Sequence, residues 1–269
     1  MKFSAISLAI ILGTSALASS AKAQQKITIS NALEQKVIEW RRDFHKHPEL
    51  SNREFRTSKV IAAHLKSLGL EVQTGMAHTG VVGVLKGGKP GPTIAMRADM
   101  DALPVIEQTN VPFKSTAVSE YRGNEVGVMH ACGHDLHMAM LLGAAQKLSA
   151  MKDEVAGTIV FIFQPAEEGA PKGEEGGAEL MLKEGLFTQY KPDVVFGIHV
   201  WSAGNTGHIG YREGPLMASS DRFEITVKGR QTHGSRPWGG VDPIVAAGQI
   251  IGSTQTIVSR QVDITKAPA

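Results

Sequence analysis

The stretch "GTIVFIFQ", residues 157–164, is an almost unbroken run of β-branched and aromatic residues. Such a run favours a β-strand that is buried on both faces, as in a parallel sheet with helices on each side. Similar short apolar runs, bounded by glycine or proline, predict three further strands at 80–87, 93–98 and 193–200.

Helical patterns alternate with these strands along the chain. The second helix is predicted to begin at Ser51, where "SNRE" has the form of a capping box that pairs Ser51 with Glu54. Strands that alternate with helices indicate an α/β fold with a mostly parallel central sheet and helices on both faces. The predicted helices cover 31–44, 51–69, 135–150 and 176–185.

The pattern changes near Gly214, where a smaller α+β module is predicted to begin. Residues 221–229 alternate like a strand with one solvated face, and 242–260 form a long amphipathic helix with Pro243 near its start. The sequence ends shortly after this helix without a further element, so we expect a C-terminal part to be missing. The predicted domains are 24–213 and 214–269, both incomplete.

The first 23 residues have the composition of a secretory signal peptide. Lys2 precedes a short apolar run, and an Ala-x-Ala site ends at Ala23. The run is shorter than the about 20 residues of a membrane span, although an N-terminal anchor is the alternative. We therefore expect a secreted or periplasmic protein. Removal of Lys2 and Lys22 changes the net charge from +2 to 0, which leaves no basic surplus for nucleic acid or an anionic membrane.

Polar residues that can bind metals follow the predicted strands. In open α/β sheets, ligands bind beyond the carboxyl ends of the strands, so these residues are expected to meet there. The stretch "MHACGHDLHMAM", 129–140, adds three of the ten histidines and the only cysteine just before a helix. The candidates are Asp99 and Asp101 after one strand, Glu167 and Glu168 after the next, His199 at the end of a third, and Cys132 and His134.

A metal centre explains this mixture of residue types. Unpaired buried carboxylates are costly, whereas thiolate, imidazole and carboxylate groups together suit zinc and neighbouring divalent ions. There are more candidate ligands than one tetrahedral ion needs, which favours two ions. Each residue also has a structural interpretation: Asp99 and Asp101 as turn residues, the two glutamates as a solvated pair, and Cys132 as a small buried side chain.

Several blocks of the sequence resemble the signature blocks of the M20 metallopeptidase family, and most of all its amidohydrolase branch. The resemblance covers about residues 33–262, in order. The blocks are "FHKHPELSNREFRTS", "MRADMDALP", "MHACGHDLHMAM", "FIFQPAEEG", "GIHV" and "ITVKGRQTHGSRPWGG".

The resemblance implies a role for each matching residue. Glu167 matches the general base, and Asp101 matches an aspartate that orients a metal ligand. The segment 214–269 matches the start of the family's lid domain. Within it, His233 matches a histidine that reaches the active site of a partner subunit. Asp99 stands where other branches have a metal-binding histidine, and it receives little weight as a ligand here. The matching metal ligands are Cys132, His134, Glu168 and His199.

The function that the resemblance implies is hydrolysis of the amide bond of an N-acyl amino acid or small peptide. Two divalent ions (zinc, manganese, cobalt or nickel) would serve as cofactors, and a homodimer would form through the lid domain. Two alternatives remain: a dipeptidase or carboxypeptidase of the same family, and an inactive truncated metal-binding or dimerising relic. The filled position at Glu167 speaks against the relic.

Overall fold

The computed structural model describes residues 28–214, 216–217 and 223–263. They fall into two compact units divided between Trp201 and Ser202, about twelve residues before the predicted domain boundary, which stays a prediction. The predicted signal peptide lies outside the described residues. Among the helices that are described, none has the length and apolar character that crossing a membrane requires.

The first unit is built on a five-stranded mixed sheet in the order β1-β2-β6-β3-β7. The parallel part consists of β6, β3 and β7, and β2 and β1 continue it antiparallel. The strands are β1 Glu71–Met76, β2 Gly80–Lys86, β3 Lys89–Asp99, β6 Ala156–Gln164 and β7 Val194–Gly197, and a separate hairpin is formed by β4 Val118–Tyr121 and β5 Asn124–Gly127. The helices are α1 Asn31–Lys46, α2 Phe55–Ser67, α3 His134–Ala150, α4 Gly177–Lys183 and α5 Leu186–Tyr190.

Strand β6 is buried on both faces, as its apolar run predicts. Its side chains alternate between two cores, because successive residues of a strand point to opposite faces. Phe161 and Phe163 pack with α1, α2 and α3, whereas Val160 and Ile162 pack with α4 and α5. Each fully buried phenylalanine contributes about 2 kcal/mol to folding. The predicted α/β architecture with helices on both faces is thereby confirmed.

Strand β7 differs from the prediction of a second fully buried strand. It lies at the edge of the sheet and spans only 194–197. Val195 and Phe196 are 48% and 58% exposed. Apolar composition predicted burial, but burial depends on which elements pack against a strand, and local composition does not determine that.

The predicted capping box at "SNRE" is wrong. Helix α2 begins at Phe55, and no side chain of its N-cap residue makes a capping hydrogen bond. Glu49 caps the helix instead, because its two carboxylate oxygens accept the Arg56 and Thr57 amides at 3.0 and 2.8 Å. Ser51 and Glu54 have other partners, which lie beside the candidate site described below.

Strand β1, the hairpin β4–β5 and helix α5 were not predicted from the sequence. Strand β1 is mostly polar, and the hairpin β4–β5 closes over Arg122 and Gly123, which both have positive φ. Such a two-residue turn matches the twist of the strands. Helix α5 follows α4 after Gly185, so the single predicted helix at 176–185 is followed by a second one.

The second unit contains one long helix, α6 Pro243–Thr256, which continues as a π-helical turn to Gln261. Its prediction is confirmed, with Asp242 as the N-cap that accepts the Ile244 amide at 2.8 Å. The predicted strand at 221–229 is wrong for the described residues 223–229. Residues 223–229 form no strand, and directly after them Arg230 forms an isolated bridge with Val241. Alternation alone is insufficient without a neighbouring strand to accept the backbone hydrogen bonds.

A buried ionic network lies under the start of α3. The His45 ring contacts Asp135 at 2.8 Å and Glu107 at 3.2 Å, and Arg41 contacts Asp135 at 3.0 Å. The hydrogen bond to Asp135 raises the pKa of His45 against the effect of burial. Asp135 directly follows His134, so the network also fixes the start of α3.

Replacing His45 with glutamine is expected to destabilise the protein by about 2 kcal/mol at pH 5.5 and by less at pH 9. A group whose pKa is raised by folding stabilises the folded state below its unfolded pKa and loses that effect as the pH rises through the folded pKa. Urea unfolding at the two pH values measures the difference. His47→Gln, on an exposed side chain of the same segment, is the control. Equal destabilisation at both pH values would contradict a charged His45.

Candidate metal centre

Three strands and one helix bring the candidate residues together at the carboxyl ends of the parallel strands. Strands β3, β6 and β7 are parallel, so the segments that follow Asp99, Gln164 and Gly197 leave the sheet at the same edge. Helix α3 begins there with His134. The structure thus groups the residues that the sequence analysis selects in this unit: Asp99, Asp101, Cys132, His134, Glu167, Glu168 and His199.

His134 lies at the centre of the group. Its Nδ1 donates to the backbone carbonyl of Asp101 at 2.7 Å, which directs Nε2 to the opposite side. Nε2 is buried and has no hydrogen-bond partner among the described residues. Three carboxylates surround it, at 3.7 Å for Asp99, 3.7 Å for Glu167 and 3.9 Å for Glu168. This buried ring nitrogen therefore faces a concentration of negative charge.

Cys132 and His199 approach the same point from two loops. The Cys132 Sγ lies 3.4 Å from the His199 Nε2, and both atoms belong with His134 to a group that could hold one ion. Burial, followed by the charge of Glu168, raises the pKa of the Cys132 thiol to about 12. The thiol is therefore protonated at neutral pH unless a cation stabilises the thiolate.

Gly133 makes the close approach of these loops possible. Its φ of +96° lies in the left-handed region, and a Cβ at this position would lie 2.3 Å from the Val200 side chain. Only glycine satisfies both conditions without strain. The turn between Cys132 and α3 thereby fits against the segment that carries His199.

Asp101 fixes the backbone of the two glutamates. Its carboxylate accepts the Glu167 amide at Oδ1 and the Glu168 amide at Oδ2, each at 3.0 Å. The Ser51 hydroxyl donates to Oδ2 at 2.7 Å. Since the Asp101 carbonyl also accepts from His134, this one residue orients three candidate groups. It lies behind the site and is buried.

Asp99 and His137 form a second supporting chain. His137 Nδ1 is 2.7 Å from Asp99 Oδ1, and His137 Nε2 accepts the Val200 amide at 2.9 Å. Both ring nitrogens of His137 are thus engaged, which leaves neither free for an ion. Arg97 donates to the other oxygen of Asp99 at 2.7 Å. This chain holds the backbone next to His199 and agrees with the low weight of Asp99 as a ligand.

The electrostatics of the site favour bound cations. Burial opposes the charging of His134, but the hydrogen bond to Asp101 and the charges of Asp99 and Asp101 outweigh it and raise the pKa of His134 to about 9. Burial, followed by the charge of Asp99, raises the pKa of Glu167. Metal-binding sites have this signature when several ligands of like charge face one another.

The residues fit divalent metal ions by their donor atoms. One potential set combines the thiol of Cys132 with the imidazoles of His134 and His199, and a second combines His134 with Glu167 and Glu168. A third combines Asp99, His134 and His137, but both ring nitrogens of His137 already have partners. Within each set all donor atoms lie within 4.8 Å of one another. A thiolate, imidazoles and carboxylates in this arrangement suit zinc, manganese, cobalt or nickel.

One predicted residue is not placed in this group. His233 belongs to the second unit, where it is exposed and its Nδ1 accepts the Ser235 amide at 3.2 Å. Its role stays a prediction. Conversely, sequence reasoning missed Ser51 and Glu54, which a local helix-start motif concealed, and Arg97, whose contact with Asp99 follows from strand alternation two residues apart.

Replacing His137 with phenylalanine is expected to weaken zinc binding by about 10- to 100-fold, although His137 is not a ligand. The ring shape remains, but Asp99 and the Val200 amide lose their partner, so His199 is held less firmly. Competition with a chromophoric chelator measures the affinity. The exposed His47 provides the control, His47→Phe. A loss as large as that from replacing Cys132 would instead identify His137 as a ligand.

Known proteins share this chain's sequence and architecture. A carboxypeptidase of Saccharolobus solfataricus, named thermostable carboxypeptidase 1, is 47% identical over 86% of this chain and 56% of its own length. The N-acyl-L-amino acid amidohydrolase of Geobacillus stearothermophilus is 44% identical over 84% of this chain and 58% of its own length. The chain therefore spans little more than half the length of these relatives.

A protein of known structure is also similar to this chain. The Bacillus subtilis YXEP protein, a dinuclear metal binding peptidase from the M20 family, is similar with a TM-score of 0.61 and 41% identity. The match covers 70% of this chain and 49% of that one. The family model of peptidase family M20/M25/M40 matches residues 95–266, which include every candidate ligand. The chain belongs to this family.

Proposed function

We propose that this protein is a metal-dependent amidohydrolase that cleaves the amide bond of N-acyl amino acids or small peptides. The observation that carries the proposal is the buried His134 Nε2, which has no hydrogen-bond partner among the described residues and faces three carboxylates. Relatives named as an amidohydrolase and a carboxypeptidase support the reaction class, amide hydrolysis.

In the proposed site, different residues bind the metal ions and carry the proton. Cys132, His134, Glu168 and His199 would hold two divalent ions. Bound at this position, such ions would acidify a water molecule and polarise the substrate carbonyl.

Glu167 is the proposed general base. Its Oε2 lies 3.7 Å from the His134 Nε2, and Asp101 holds its backbone amide, so the carboxylate is fixed at the edge of the ligand group. The raised pKa brings its proton affinity closer to neutral pH, which suits a group that takes a proton from water and returns it to the leaving amine. By the family resemblance, His233 of a partner subunit would stabilise the developing oxyanion.

The setting of the protein is part of the proposal. We propose that it is secreted or periplasmic, because residues 1–23 have the pattern of a signal peptide. We also propose a homodimer through the second module, residues 214–269, on the basis of the family resemblance. We expect the mature chain to bind neither nucleic acid nor a membrane, because its formal net charge is 0 after removal of two lysines.

A substrate panel tests the proposal. The purified chain is loaded with zinc, manganese, cobalt or nickel and offered N-acetyl and N-benzoyl amino acids, unblocked dipeptides and N-blocked dipeptides, and the release of free amine is followed. Fastest cleavage of N-acyl amino acids would support an amidohydrolase, and fastest cleavage of unblocked dipeptides would favour a dipeptidase. Metal binding without cleavage of any of these would overturn the proposed activity for this chain.

A further inference from the structure

Backbone strain is concentrated beside the metal centre. Among the described residues, six that are not glycine have positive φ, a region that disfavours side chains. Four of these six lie in three loops that contact one another. They are Asn52, Ala77, His78 and Ala166. Such conformations persist only when their surroundings determine them, and they gather at functional sites.

Glu54 joins two of these loops from inside the protein. Its side chain is fully buried, and Oε1 accepts the Ala166 amide at 2.9 Å. Oε2 accepts the Thr79 hydroxyl at 2.6 Å, next to the strained residues 77–78. Burying a carboxylate destabilises the folded state, so we expect the two hydrogen bonds of Glu54 to have a role beyond packing. The Ala166 amide is one of these two partners.

The loop that carries Glu167 and Glu168 is also held at its far end, near Glu175, by the loops that contain Asn52 and His78. Asn52 Nδ2 donates to the Glu175 carbonyl at 3.0 Å, and the His78 ring contacts that carbonyl at 3.0 Å. A Cβ at Gly176 would lie 2.6 Å from the Asn52 side chain, so the approach is close. The segment 166–175 is thus anchored at both ends.

We propose that Glu54 is a positioning residue, which keeps Ala166 in the left-handed conformation and thereby fixes Glu167 against Asp101. The inference rests on the proposed function only for the consequence on turnover. Ala166 directly precedes Glu167, so its φ of +49° sets the direction in which the Glu167 and Glu168 amides meet the Asp101 carboxylate. Without the acceptor on Glu54, alanine would relax to negative φ, and both amides would turn away.

The opposing interpretation is that Glu54 only fills and stabilises the core. Glycine at position 166 separates the two interpretations, because glycine adopts positive φ without strain. If Glu54 acts through the conformation of Ala166, the substitution Ala166→Gly should compensate for the loss of Glu54. If Glu54 is only a packing residue, it should not.

The test compares Glu54→Met, which keeps the side-chain volume and removes both acceptors, with the double variant Glu54→Met/Ala166→Gly. Glu54→Gln keeps an acceptor for the Ala166 amide. Ala166→Val strains the same conformation with Glu54 intact, and it serves if Glu54→Met fails to fold. Glu49→Gln is the matched control, because Glu49 also accepts backbone amides but only those of α2.

Two readouts are taken, of which the first needs no activity. Hydrogen exchange of the Glu167 and Glu168 amides, followed in peptides spanning 164–170, is expected to quicken by about 10-fold in Glu54→Met, and to return towards the original rate in the double variant. For the metal-loaded protein, kcat is expected to fall by about 100-fold with little change in KM, and to recover in the double variant and in Glu54→Gln.

The outcomes separate the two proposals. Unchanged exchange and turnover in Glu54→Met, or a loss that Ala166→Gly does not reverse, would overturn the positioning role. The expected exchange pattern without hydrolysis by any variant would support the positioning role and count against the proposed function. Loss of turnover in Glu49→Gln equal to that in Glu54→Met would show that the effect is general destabilisation and would overturn the inference.

Discussion

Replacement of Glu167 by glutamine is expected to lower the turnover rate of the metal-loaded protein by at least about 100-fold and to leave its metal content unchanged. Glutamine keeps the size of the side chain and its backbone amide, so the contact with Asp101 at 3.0 Å persists. What is lost is a group that can take up and return a proton. The change therefore removes the proton carrier while the four proposed ligands stay intact.

The measurement needs metal analysis and kinetics on the same sample. Glu179→Gln is the matched control, since Glu179 is an exposed glutamate of α4 that pairs with Lys183. Near-normal turnover of Glu167→Gln would refute the role of general base. A fall in metal content comparable to that of Glu168→Gln would show that Glu167 is a ligand, which the second donor set in the structure also permits.

The sheet could be predicted because its signals are local. The run at 157–164 determines a strand by the composition of eight neighbouring residues, and the structure has β6 there. The burial of β7 could not be predicted in the same way. Composition favours burial at 193–200, yet exposure depends on elements distant in the sequence, and β7 lies at an edge with its side chains exposed.

The failed capping box shows how a distant partner overrides a local motif. Ser51 and Glu54 have the spacing that caps a helix, but the hydroxyl of Ser51 is used 50 residues away by Asp101. Glu54 is used by Ala166, 112 residues away. Side-chain hydrogen bonds to a buried carboxylate and to a buried amide are worth more than a solvent-exposed cap. Sequence spacing carries no information about these partners.

That the candidate residues lie close together could be predicted from the sequence, but the individual contacts of each residue could not. Strand ends and the histidine cluster predicted which residues meet, and the structure brings together all of those in the first unit. Spacing does not show which nitrogen of a histidine is free. His134 has a free Nε2, whereas both nitrogens of His137 are engaged, and only the three-dimensional partners distinguish a candidate ligand from its support.

Replacement of Cys132 by serine is expected to weaken metal binding more than replacement of a supporting residue does, which typically lowers the affinity by about 10- to 100-fold. It should also reduce the protons released on binding by about one. Burial and the charge of Glu168 raise the pKa of the thiol to about 12, so the metal-free protein holds that proton at pH 7. Metal binding must displace it, because the thiolate is the ligand. A serine hydroxyl is not ionised and has no equivalent proton to lose.

The release of protons makes metal affinity depend on pH, and the affinity is expected to rise as the pH rises. Against the effect of burial, the hydrogen bond to Asp101 raises the pKa of His134 to about 9, so below that pH metal binding must displace a proton from His134 as well. With two protons displaced, the apparent association constant should rise by up to about 100-fold per pH unit between pH 6 and 8, and by up to about 10-fold in Cys132→Ser. Calorimetry in buffers of different ionisation enthalpy counts the protons directly. Ala131→Ser places the same hydroxyl one residue away on an exposed position and should bind metal normally. If Cys132→Ser released as many protons and bound as tightly as the unaltered protein, the thiol would be a packing group, and the ligand set would have to be completed by the carboxylates around His134.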